Sequence, residues 1–119
     1  MAARSFEELD VWRKAHEVTR GVYDLTTRFP THQRYVLIPQ MQRAALSIPA
    51  NITEGFGRRR PKDKARFYNI AEASADELRY YFILAKDLKY VSGRLPLEGV
   101  LMEIRKMLRR LVDLALMKA

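Results

Sequence analysis

Arginine is the side chain best able to do chemistry in this chain. Fifteen of its 22 basic residues are Arg, against 14 acids, for a formal net charge of +8 over 119 residues. A guanidinium fork holds phosphate through two parallel bonds and stacks on flat rings, so this bias suits a nucleic-acid partner. Net charge by itself speaks of solubility and non-specific attraction, not of fold. The densest run is Arg58, Arg59, Arg60, Lys62, Lys64 and Arg66, opposed only by Asp63; the stretch carries +5 of the total. A second group, Arg105, Lys106, Arg109 and Arg110, is expected on one side of a later helix. Each group reads either as a phosphate contact or as a solvated rim. The first also falls at an expected helix start, where free amide donors draw anions. No aromatic platform accompanies these loop arginines in sequence, so weak base preference is expected.

A second polar set has helical spacing. Gln40, Arg43, Ser47, Asn51 and Glu54 step by three, four, four and three, an arc of about 80°. This line flanks an apolar stripe and should lie near a helix or subunit seam. Arg43 and Glu54 are too far apart to pair, so each needs a partner from elsewhere. One reading is a hydrogen-bonded ladder that fixes register or oligomeric state. The other is a contact for a ligand or nucleic acid.

Enzyme chemistry finds little support. The two histidines, His16 and His32, lie on different elements, and neither follows a Glu at the Glu-x-x-His spacing of di-iron bundles. There is no His-Glu-x-x-His, Walker loop or calcium loop, and Gly55-Phe56-Gly57 lacks the third glycine of a dinucleotide fingerprint. The absence of cysteine excludes disulfides, thiolate zinc sites and a cysteine nucleophile. No catalytic residue, metal or cofactor is expected.

The elements that must position these residues are helices. Ser5 and Glu8 have the form of a capping box, and Val11, Ala15, Val18, Val22, Leu25 and Phe29 then make one face, ended by Pro30. The polar stretch 31–35 is a connection. A second helix starts near Leu37, with Pro39 tolerated in its first turn and Leu37, Met41, Ala44, Ile48 and Ile52 as its apolar face. Pro49 removes one backbone donor inside that pattern, which predicts a kink, and Gly55 and Gly57 supply the stop. The third helix follows Pro61 with Phe67, Ala71, Ser74, Leu78, Tyr81, Ala85 and Leu88; Ser92-Gly93 and Pro96 mark the next turn. The fourth carries Leu97, Leu101, Ile104, Leu108, Leu111 and Ala115. No segment alternates with period two. The expectation is one all-α domain over residues 1–119, an up-down antiparallel four-helix bundle.

From Leu78 to Ala85 only Arg79 is charged, and between Leu37 and Gly57 only Arg43 and Glu54 are. A helix apolar all round is buried all round, so a second subunit is expected against these helices, covering Tyr80 and Phe82. The alternative leaves the tyrosines flat on the surface with their hydroxyls in water. The start of the chain meets charge before any apolar run, and no stretch reaches bilayer length. A cytoplasmic protein without a membrane partner is expected.

The order of these motifs resembles the bacterial four-helix-bundle family of proteins encoded within intervening sequences of 23S ribosomal RNA genes. The similarity begins at Phe6-Glu7-Glu8-Leu9 and Val11-Trp12-Arg13-Lys14-Ala15-His16-Glu17 and continues through Val22-Tyr23 and Phe29-Pro30. It is most specific over the stretch from Gln40 to Gly55, around Ser47-Ile48-Pro49-Ala50-Asn51-Ile52. Phe67-Tyr68, Ile70 to Ser74, Glu77-Leu78 and Ala85 extend it. Thr53 stands where the family usually has Ala, Ala73 where Gly is usual, and Tyr80-Tyr81 replaces a more polar stretch. The resemblance implies a bundle assembled into a ring, with a homopentamer favoured. It also implies similarity to the accessory variability protein of diversity-generating retroelements, a basic pentameric barrel that binds its reverse transcriptase and nucleic acid. The sequence thus reads as a non-enzymatic, homo-oligomeric binder of nucleic acid, RNA first. The alternative is a protein-interaction scaffold, such as an accessory subunit of a retroelement reverse transcriptase.

Overall fold

The computed structural model describes residues 2–119. The stripes of four-and-three spacing become α1 (Asp10–Thr26), α2 (Leu37–Gly57), α3 (Pro61–Asp87) and α4 (Pro96–Met117), with no strand among the described residues. Each helix packs on the next, and α4 returns to α1. Cross-helix contacts fix the directions. Trp12 meets Thr53 and Thr26 meets Gln42, while Ser47 meets Ser74. On α4, Arg109 meets Glu72 and Lys86 meets Glu98, and Lys14 of α1 meets Glu103. All four neighbours are therefore antiparallel, and the bundle is 46 Å long and 23 by 21 Å across.

Several local details differ from the sequence reading. Ser5 and Glu8 do form the box: Glu7 donates its amide to Ser5 Oγ at 3.2 Å, and Ser5 donates its own to Glu8 Oε2 at 3.1 Å. The box caps only a single 3-10 turn, Phe6–Glu8. Leu9 then turns extended to pack against the core, so α1 starts at Asp10. The helix ends at Thr26, yet Phe29 still reaches the core. Gly55 is not merely a stop. A Cβ there would lie 2.7 Å from the Tyr68 ring, so its missing side chain is what lets α3 approach α2.

The core face of α3 is rotated from the expected one. Tyr68, Ala71, Ala75, Leu78, Phe82 and Ala85 are buried, whereas Phe67 and Tyr81 are half-buried and Leu88 is exposed. Both sets repeat by four and three; the neighbours decide between them. The second apolar face needs the same correction. Phe82 belongs to the core, and the outward residues are Tyr80 at 56% and Ile83 at 48% exposure, together with Leu46 and Ile70.

The α3–α4 turn rests on a residue with no glycine signal. Lys89 takes a left-handed φ of 65°, so Tyr90 donates to Ala85 O at 2.9 Å and Lys89 to Lys86 O at 2.9 Å. This is a Schellman closure with Lys in the usual glycine position. Tyr90 then packs at a tilt against Phe29, ring centroids 5.3 Å apart, and accepts from Gln33 Nε2 at 3.0 Å. One tyrosine thereby ties the α3–α4 and α1–α2 connections together at that end.

Candidate functional site

The opposite end holds the basic run. Residues 58–60 join α2 to α3, whose first turn lacks a side-chain cap and starts on Pro61. Arg59, Arg60 and Lys62 are exposed and form no ion pair among the described residues. The other three are engaged. Arg58 bonds Glu54 at 2.7 Å, and its guanidinium carbon lies 4.6 Å from the centre of the Phe67 ring. Arg66 lies 4.5 Å from the same ring. Lys64 donates to the carbonyls of Gly55 at 2.8 Å and Phe56 at 3.0 Å, closing the C-terminus of α2. Burial, with the charge of Lys118 adding to it, holds the Lys64 ammonium below its ordinary pKa. Glu54 therefore finds its partner in the basic run itself, one turn on. An aromatic ring also lies beside these arginines, contrary to the sequence expectation, because the first turns of α3 fold Phe67 back under them.

The α4 group does not form one patch. Arg105 pairs with Asp76, and Arg109 Nη2 lies 3.0 Å from Glu72 Oε2. The Glu72 side chain is only 10% exposed, and its second oxygen has no hydrogen-bond partner among the described residues. Both arginines thus neutralise carboxylates of α3. Lys106 stands exposed beside them, while Arg110 turns toward α1 and lines a cleft with Leu9, Val11 and Met107.

The polar line of α2 also divides. Ser47 and Ser74 hydroxyls meet at 2.8 Å, and Asn51 Nδ2 donates to Ser47 Oγ at 3.0 Å and Ser47 O at 2.8 Å. These form a seam against α3. Gln40, Arg43 and Glu54 are exposed. On the α3 side of the seam, the Tyr81 hydroxyl donates to Glu77 one turn back on the same helix, at 2.7 Å. That bond, with burial second, raises the phenol's pKa, and the charge of Arg43 opposes the shift.

Sequence reasoning missed Lys118 and Tyr68. The antiparallel α4 brings its last turn alongside Arg59, Pro61, Lys64 and Tyr68, enclosing a cleft of about 350 Å³ whose α4 wall is Leu111, Leu114 and Ala115. No local signal announces this; only the register of α4 on α3 does. No group of three or more His, Asp or Glu placed to hold a metal occurs among the described residues. Nor is any helix there long and apolar enough to cross a membrane.

These features define a small, basic four-helix bundle that carries the exposed, unpaired Arg59, Arg60 and Lys62 together at one end. Residues 7–113 match the family model described as 23S rRNA-intervening sequence protein, and the chain belongs to that family. The resemblance carried by the Ser47–Ile52 core is thereby confirmed. The fold is similar to a crystal structure of a protein of unknown function from the S23 ribosomal protein family of Bacteroides thetaiotaomicron. That protein is 25% identical, with a TM-score of 0.79 over 87% of this chain and 95% of that one. No curated protein matches.

Proposed function

We propose that this chain is a cytoplasmic, non-enzymatic, homo-oligomeric bundle that binds nucleic acid, RNA foremost, through the end where α2 meets α3. The observation that carries this reading is the set of exposed cations without acid partners, Arg59, Arg60 and Lys62, at the uncapped start of α3. Free amides, unpaired guanidinium forks and an ammonium converge there, a combination suited to phosphate. Lys118 and Arg66 extend the positive surface on either side. Arg105 and Arg109 contribute less, since their charge is already matched by Asp76 and Glu72. Self-association is supported by the exposed Leu46, Ile70, Tyr80 and Ile83 on α2 and α3, and the family resemblance favours five copies.

Salt titration of binding to a labelled single-stranded RNA tests the reading. The log–log slope should be about −0.7 per neutralised phosphate, so Arg59→Gln, Arg60→Gln and Lys62→Gln together should flatten it by about two. Equal affinity and slope for the wild type and this variant would reduce the run to a solvated rim. Negligible RNA affinity near physiological salt, with the same variant losing a protein partner, would favour the scaffold reading. Light scattering behind a sizing column reports assembly, and a mass near the 13.9 kDa of one chain would overturn the oligomer.

A further inference from the structure

We infer that the cleft between the first turn of α3 and the last turns of α4 receives one unpaired base of a bound strand, with the flanking phosphates on Arg59, Lys64 and Lys118. The inference rests on the nucleic-acid reading above and adds to it a preference for single strands.

Three observations converge on this cleft. Its walls are Pro61, Leu111, Leu114 and Ala115, and Leu114 is left 46% exposed on them. Its mouth carries Arg59, Lys64 and Lys118 with no acid among the lining residues, and Lys64 and Lys118 lie close enough for their charges to oppose each other. An anion between them relieves that repulsion. Tyr68 lines the same cleft and is 4% exposed, yet its hydroxyl makes no hydrogen bond among the described residues. The hydroxyl oxygen itself is not sealed off but opens on the cleft, where it can donate to or accept from whatever enters. Burial raises its pKa, which keeps the proton in place.

The chemistry of the ligand follows from combining these features. An inorganic anion would satisfy the cations and leave the leucines in water. An aliphatic chain would cover the leucines and leave the Tyr68 hydroxyl unpaired. A nucleobase has apolar faces for Leu111 and Leu114, a polar edge for Tyr68, and a charged backbone for the rim. Extruded bases are held in this manner, between apolar or aromatic side chains with hydrogen bonds at the edge. In a duplex those faces are stacked and those edges paired, so the cleft can act only on unpaired residues.

Fluorescence anisotropy at physiological salt distinguishes the possibilities, with a 12-nucleotide single-stranded RNA, its blunt duplex, and the same strand carrying abasic sites. The wild type should bind the single strand about tenfold more tightly than the duplex, and the abasic strand should lose most of that advantage. Tyr68→Phe keeps the ring that packs on Gly55 and deletes only the hydroxyl. Leu114→Gln changes an exposed wall residue and leaves the fold intact. Each should lower single-strand affinity about fivefold to tenfold, with duplex affinity and the salt slope unchanged. Equal affinity of the wild type for single strand and duplex overturns the base site, as does an unchanged ratio in both variants; the nucleic-acid reading survives either result. Failure to bind any of the three RNAs overturns that reading and this inference together.

Discussion

Thr19 Oγ1 lies 3.1 Å from the carbonyl oxygen of Ala45, the acceptor that Pro49 leaves without its helical amide. The same hydroxyl lies 2.8 Å from Ala15 O on its own helix, so its single proton is shared. A hydroxyl on α1 thus compensates a proline inside α2, and the α2 helix runs unbroken from Leu37 to Gly57. Thr19→Val should cost about 1–2 kcal/mol, because it strands a carbonyl in the α1–α2 interface. In a Pro49→Ala background, where an amide returns to Ala45, the same substitution should cost clearly less. A double-mutant cycle by chemical denaturation measures the coupling.

Arg109 and Arg43 should separate sharply in stability. Glu72 is nearly buried and relies on Arg109, so Arg109→Ala should destabilise by about 1–3 kcal/mol. Arg43 is exposed and forms no ion pair among the described residues, so Arg43→Ala should stay within about 0.5 kcal/mol. Thermal unfolding of the two variants checks this. A large loss for Arg43→Ala would place it at a subunit seam instead.

The start of α4 should be acid-sensitive. Burial raises the pKa of Glu98, but the Lys86 ammonium at 2.5 Å and the Leu95 amide at 3.1 Å outweigh it, holding the carboxyl below the ordinary glutamate range. A depressed carboxyl stabilises the fold above its unfolded pKa and loses that contribution as pH falls through the folded one. Glu98→Gln should therefore cost about 0.5–1 kcal/mol at pH 7, and the difference should vanish in acid. Denaturation of both proteins across that range reads the effect.

Lys89 holds a left-handed conformation that L side chains resist, and nothing in its surroundings requires the side chain. Lys89→Gly should stabilise by about 0.5–1 kcal/mol and raise the melting temperature. A drop on calorimetry would show that the Lys89 side chain is used.

The number and order of the four helices were legible because helical periodicity, prolines and turn residues act over a few positions. Val11 to Leu25 on α1 and Leu37 to Ile52 on α2 are buried as their spacing requires. Where two rows of apolar residues satisfy the same rhythm, spacing alone is silent. Tyr68 and Phe82 face the core in place of Phe67 and Tyr81 because Gly55 admits the Tyr68 ring on one side of α3.

The candidate site was legible as composition and not as geometry. The run from Arg58 to Arg66 announces a positive end, since like charges adjacent in sequence stay adjacent in any fold. Which of those charges are free was decided by side chains from other turns and helices. Glu54 and Phe67 engage Arg58, the α2 carbonyls engage Lys64, and Glu72 and Asp76 neutralise half of the α4 group. Lys118 joins Lys64 at the mouth of the Tyr68 cleft only because α4 runs antiparallel to α3. Local spacing determines where each helix lies along the chain; the register between helices, set by packing over long sequence separations, determines which groups meet.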